Sequence, residues 1–139
     1  MKLLVIPYGT PYWSPKSPNV LNIIKEHGKT LRIAYLIPLW GLIGWEALVH
    51  NTEILKSING VSERDLDRDT AISIRTWLTH KGANFDKIVL INYGKTLNFW
   101  STGAAGLPVM SKVQIIRWLS TSPSKFNDRV KRAVTHEKK

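Results

Sequence analysis

Gly94, Lys95 and Thr96 follow an apolar run and resemble the end of a phosphate-binding P-loop, where glycine N–H groups and a lysine cradle phosphate oxygens. That pattern also needs a glycine five residues before Gly94, and Val89 stands there instead. A nucleoside triphosphatase is therefore disfavoured, while Lys95 at a strand end is still placed to meet a single phosphate. No Gly-x-Gly-x-x-Gly follows the first apolar run, which argues against a dinucleotide cofactor, and no other cofactor is expected. His27, His50, His80 and His136 lie far apart, none with a partner at metal-ligand spacing, so no metal is expected. Ser14, Ser17, Ser73 and Ser101 lack the Gly-x-Ser-x-Gly elbow that exposes a nucleophile. Two carboxylates remain as acid–base candidates. Glu46 closes an apolar stretch and is expected near a strand-end crevice, and Asp65 sits in the first turn of a helix. A solvated surface carboxylate is the commoner explanation of a residue such as Glu46, and Asp65, Asp67 and Asp69 all suit the positive end of a helix dipole. These residues do not by themselves establish a catalysed reaction.

Twenty Lys and Arg against ten Asp and Glu give a formal charge of +10, a field that draws polyanions. A solvating basic surface is the other explanation of that charge. Six tryptophans invite a stacking argument, because single-stranded nucleic acid is held by aromatics within a basic groove. Trp77 and Trp118 fall on apolar helical faces and read as core, whereas Trp13, Trp40, Trp45 and Trp100 fall in or beside loops. Three apolar runs end in an aromatic followed by glycine: Tyr8 and Gly9, Trp40 and Gly41, Tyr93 and Gly94. The expected base-stacking residues are Tyr8, Trp13, Trp40 and Tyr93, and the expected phosphate contacts are Lys16, Lys95, Arg129, Lys131 and Arg132.

These residues need elements to hold them. Residues 2–6, 31–37 and 87–91 are continuous apolar runs, the mark of strands buried on both faces in a parallel sheet. Ser17 and Pro18 open a helix that Gly28 ends, and Ser62 and Asp65 open a second that runs to Gly82. Residues 51–58 read as a short helix, residues 101–106 as a loop of small residues, and 109–119 as a helix in preference to a strand. Phe126, Val130 and Val134 recur every four residues on a basic final helix. The alternation predicts a small three-layer α/β sandwich with a mostly parallel central sheet, an α/β domain over residues 1–119 and a basic C-terminal helix or tail over 120–139.

The chain has no cysteine, which excludes disulfides, thiolate metal sites and thiol nucleophiles and fits a reducing, cytoplasmic compartment. The run after Lys2 stops at Pro7, too short for a secretory signal. Residues 31–49 contain Arg32, Pro38, Gly41, Gly44 and Glu46, so no membrane span is expected there.

Ile6, Pro7 and Tyr8, then Pro11 and Tyr12, then Lys16 and Ser17 opening a helix, resemble the start of the α/β core domain of archaeal archaeosine synthases and proteins associated with tRNA-guanine transglycosylases. Residues 37–46, with Leu39, Trp40 and Gly41, are similar to that family's second strand and turn, and residues 86–94 to its third strand. The likeness spans about residues 1–97. It implies a fold similar to uracil-DNA glycosylases, a strand-end pocket for a planar base, modification of a 7-deazaguanine base, and a tRNA or DNA partner. The family's motif carries a cysteine where Tyr8 stands, a reactive lysine where Thr10 precedes Pro11, and a histidine near Pro18. Its lysine chemistry is therefore not implied for this chain, nor for Lys16.

The expected function is a nucleic-acid-binding α/β domain, with tRNA or a single strand as partner. The alternatives are an enzyme acting on a nucleobase or nucleoside, with Glu46 or Asp65 in acid–base work, and a structural protein of a virus or complex whose basic terminal helix packs on a partner.

Overall fold

The computed structural model describes residues 1–57 and 59–135; Ile58 and residues 136–139, which include His136, lie outside the described residues. Five strands form one sheet in the order β3-β2-β1-β4-β5. They are β1 (Lys2–Pro7), β2 (Leu31–Ile37), β3 (Gly41–Gly44), β4 (Lys87–Asn92) and β5 (Val113–Arg117). All are parallel to their neighbours except β3, which pairs antiparallel with β2 from Ile37↔Gly41 to Ala34↔Gly44. The helices are α1 (Pro18–His27), α2 (Trp45–Val49), α3 (Glu63–Lys81), α4 (Thr96–Gly103) and α5 (Pro123–Thr135). The fold is a small α/β sandwich with a mostly parallel, mixed sheet.

Burial on both faces explains the continuous apolar runs. Leu4 and Ile6 point to one side, where they meet Val20 and Ile23 of α1 and Phe126 and Val130 of α5. Leu3 and Val5 point to the other, against Ile74 and Leu78 of α3 and Trp100 of α4. The β1–α1–β2 crossover thus covers one face, and α3, which carries the chain past β1 to β4, covers the other. The final helix spends its apolar stripe on this core. Its last turn is held from below, since Lys87 Nζ donates to the Ala133 carbonyl at 3.4 Å and Lys2 Nζ to that of Val134 at 3.3 Å. Two cations therefore meet the negative end of the helix.

Four segments differ from the sequence-based expectation. Residues 109–119 are not a helix: a 3-10 segment (Pro108–Lys112) leads into β5, an edge strand whose exposed Gln114, Ile115 and Arg117 blur the apolar pattern of a buried strand. Residues 101–103 of the expected loop are instead the last turn of the helix Thr96–Gly103. Residues 52–56 of the expected short helix are 3-10. The turn after β2 is a hairpin that adds β3 and returns the chain. That hairpin is seated on α3: Thr70 Oγ1 accepts from the Leu39 N–H at 2.6 Å and Ser73 Oγ donates to the Leu39 carbonyl at 3.0 Å. Gly41 has φ +75°, and a Cβ there would stand 2.7 Å from the Ile74 nitrogen, so only glycine permits this contact between hairpin and helix.

Tyr35 gives the fold a signature at high pH. Its buried hydroxyl donates to the Trp13 carbonyl at 2.8 Å. Burial, and then the neighbouring Tyr8, raise its pKa far above the ordinary tyrosine value. A group whose pKa is raised on folding contributes stability fully below its unfolded pKa and loses it as pH climbs towards the folded one. The urea midpoint should therefore fall progressively above about pH 10, and Tyr35→Phe should flatten that fall.

Candidate functional site

Strand order reverses at β1, whose chain first goes to β2 on one side and later arrives at β4 on the other. In such sheets a crevice opens beyond the carboxyl ends of the two strands. A cavity of about 330 Å³ lies there, lined by Pro7, Tyr8, Tyr93, Gly94, Lys95 and Thr96 from the strand ends, with Leu36 of β2, Pro38 just after it, and Leu66, Asp67 and Phe99 from the covering helices. That volume is near the lower end of the range for small-molecule sites. Tyr8 is 41% exposed and Tyr93 is 37% exposed, so each offers a face to solvent.

The local turns explain why these side chains face outward. Asn92 ends β4, and Gly94 at φ +64° turns the chain into α4, with nothing within 4 Å of where a Cβ would stand. Glycine is needed there for the turn, not for room. Thr96 is buried and its hydroxyl donates to the Tyr93 carbonyl, which pins the turn. Lys95 is half-exposed, and its Nζ lies 3.7 Å from Asp67 Oδ2 across the crevice. An exposed pair of this kind is worth little on its own, so a ligand anion can exchange with the carboxylate at small cost.

The expected site residues divide into those the fold brings together and those it separates. Tyr8, Tyr93 and Lys95 line the one crevice. Trp40 is 43% exposed on the neighbouring hairpin, its indole N–H donating to Ser57 Oγ at 2.7 Å, and it is not in the crevice lining. Trp13 is corrected outright: it is 1% exposed, packs edge-to-face on Phe126 and donates its indole N–H to Asn127 Oδ1 at 3.1 Å. The terminal helix covers it, and no ligand can stack on it without opening the core. Trp100, read as a loop residue, is likewise buried in α4. Trp118, read on a helical face, lies just beyond β5 and packs on Phe126 with ring centroids 4.9 Å apart.

Glu46 is exposed on α2 and lines a different cavity, because the hairpin turns the chain back from the strand ends before reaching it. Asp65 serves the start of α3: its N–H donates to Ser62 Oγ at 3.2 Å, and its carboxylate pairs with Arg68. Lys16 is exposed in the loop before α1 and does not line the crevice. Arg129, Lys131 and Arg132 are exposed on α5, whose last turn lies by the amino ends of β1 and β4. Lys131 and Arg132 are thus at the end of the sheet opposite the crevice.

Three residues at this end of the sheet were not singled out by the sequence for this site. Asp67 turns into the crevice rather than merely serving the α3 dipole. Arg117 ends β5, exposed and in register with Asn92. Tyr12 is 67% exposed in the loop leaving β1, tilted against Trp118 at 6.2 Å. Among the described residues no three His, Asp or Glu side chains gather as a metal site would require, and no helix is long and apolar enough to cross a membrane.

Fold and site together define a small α/β chain with an aromatic crevice at the switch point of its sheet. No family model, curated protein or solved structure that was compared with it matches this chain.

Proposed function

We propose that this chain binds nucleic acid in single-stranded form, tRNA loops included, and seats one unstacked base in the strand-end crevice. The observation that carries the reading is the meeting of Tyr8 and Tyr93 with Lys95 and Asp67 in one opening. Tyrosine faces stack on any base, the Asp67 carboxylate accepts from base N–H groups, and Lys95 and Arg117 supply cations for the flanking phosphates. The formal charge of +10 adds a field that concentrates polyanions around the molecule.

A titration of tRNA, single-stranded DNA and duplex DNA at about 50 and about 200 mM salt tests this. Two phosphate contacts to a single strand, from Lys95 and Arg117, correspond to roughly a sevenfold loss of affinity over that range. The single strand and tRNA should bind more tightly than the duplex, whose bases cannot enter the crevice. Equal affinity for duplex, or none in dilute buffer, removes the reading and leaves the charge as a solvating surface.

A nucleobase-modifying enzyme is favoured by one observation, that Asp67 puts a carboxylate against the space a base would fill. Release or exchange of a labelled base would single that reading out. The structural-protein alternative relied on the terminal helix docking on a partner, and the apolar stripe of α5 is already buried in the core.

A further inference from the structure

The first residues of β2 have a neighbour on one side only. Pairing with β3 ends at Ala34↔Gly44, where the chain turns into α2, yet β2 begins at Leu31. Lys2 N–H donates to the Thr30 carbonyl and Tyr8 N–H to that of Leu36, both at 3.0 Å. Backbone groups alternate in direction along a strand, so even-numbered residues of β2 face β1 while Leu31 and Ile33 turn theirs outward. No strand stands opposite them among the described residues.

A cavity of about 750 Å³ wraps this edge, with Trp45 and Glu46 of α2 on one side and Trp77 and Lys81 of α3 on the other. Its walls are fixed. Trp45 donates its indole N–H to the Pro15 carbonyl at 2.8 Å. Trp77 stacks on Phe85 at 6.1 Å and 5°, with the Lys81 ammonium 5.4 Å from its ring centroid. Arg32 is exposed and shares the parity of Ala34 and Leu36, so it projects on the α3 side of the sheet. Among the described residues its guanidinium makes no hydrogen bond or ion pair.

We propose that this edge is a second binding site, which takes an extended acidic peptide segment of a partner protein by strand addition, in line with β3. Open edges template strand pairing, and backbone ladders of this kind supply affinity while flanking pockets supply selectivity. Arg32 and Lys81 against the lone Glu46 make the lining net basic, which selects acidic side chains. A nucleic-acid strand carries charge but no amide ladder, so peptide is the occupant that satisfies both features. The site is at the opposite end of the sheet from the crevice and stands independently of the function proposed above.

The test uses the full chain, isotopically labelled for NMR, and a blocked hexapeptide of alternating valine and glutamate. Amide shifts should appear at residues 31–33 and at the Trp45 and Trp77 indoles. Methylating alternate peptide nitrogens should weaken binding by about tenfold or more, because it removes the ladder. Arg32→Glu should weaken the glutamate peptide by about tenfold and favour its lysine counterpart; Lys81→Glu provides the same reversal should the first variant fold poorly. Shifts confined to β5, the sheet's other open edge, would overturn the proposal, as would equal binding of the methylated peptide or no shifts at millimolar peptide.

Discussion

Trp13→Ala should unfold at much lower urea than the parent chain, losing about 3–5 kcal/mol. A domain of this kind has only about 5–15 kcal/mol in total, so the loss is a large share of what holds it folded. The size follows from what the indole does. It fills the space between β1, α1 and α5, meets Phe126 edge-to-face at 5.8 Å, and satisfies its N–H with Asn127. Its own carbonyl also accepts the buried Tyr35 hydroxyl. Trp13→Phe should recover part of the loss, since it keeps an aromatic edge against Phe126 but leaves Asn127 without its donor. Urea denaturation followed by fluorescence of the other tryptophans gives the comparison. A Trp13→Ala chain as stable as the parent, but unable to bind, would mean that the residue faces a ligand after all.

The second large effect is on binding and should leave stability nearly untouched. Tyr8→Ala and Tyr93→Ala each remove an exposed aromatic face from the crevice, where stacking is worth about 1–3 kcal/mol per base. Each should therefore lower the affinity for single-stranded nucleic acid by roughly 5- to 150-fold. The double variant should lose less than the product of the two, because both rings meet one base. Phenylalanine at either position should retain most of the affinity. Stability should move by only about 0.5 kcal/mol for Tyr8→Ala, as for other surface changes. Fluorescence anisotropy with a labelled oligonucleotide, beside a urea melt of each variant, separates the two effects.

The contrast between Trp13 and its neighbours shows where sequence reading reaches and where it stops. Strands β1, β2 and β4 are legible because both of their faces are buried, which leaves unbroken apolar runs. Tyr8, Tyr93 and Lys95 directly follow β1 and β4 and so line the crevice, whereas Trp40, marked by the same aromatic-glycine pattern, is carried away from it on the hairpin. Trp13 also follows β1 and is lost to the core, while Tyr12 beside it is turned out to solvent at φ +67°. Composition cannot tell these two aromatics apart; the docking of α5 decides it, and that contact is more than a hundred residues away in sequence. Arg117 was hidden because β5 buries Ile116 but leaves its flanking residues exposed, a pattern that resembles neither a buried strand nor a clean alternation. Asp67 was hidden because a carboxylate near a helix start already has a sufficient explanation in the dipole. Glu46 was misplaced because Trp40 and Gly41 read as the end of an apolar run, whereas Gly41 begins a strand that carries the chain back along the sheet.

Tyr8 and Thr10 stand where the chemistry of the archaeosine synthase core would need other residues. Binding is thus the reading that these side chains support without borrowing any.

Photocrosslinking is the most direct examination of the crevice. A single-stranded oligonucleotide carrying 4-thiouridine at one internal position would be irradiated with the full chain and the attachment point mapped by mass spectrometry. Attachment at Tyr8, Tyr93 or the adjoining turn to Lys95 is the predicted result. Attachment confined to α5, or spread over exposed lysines with none at the strand ends, would contradict a base-binding crevice.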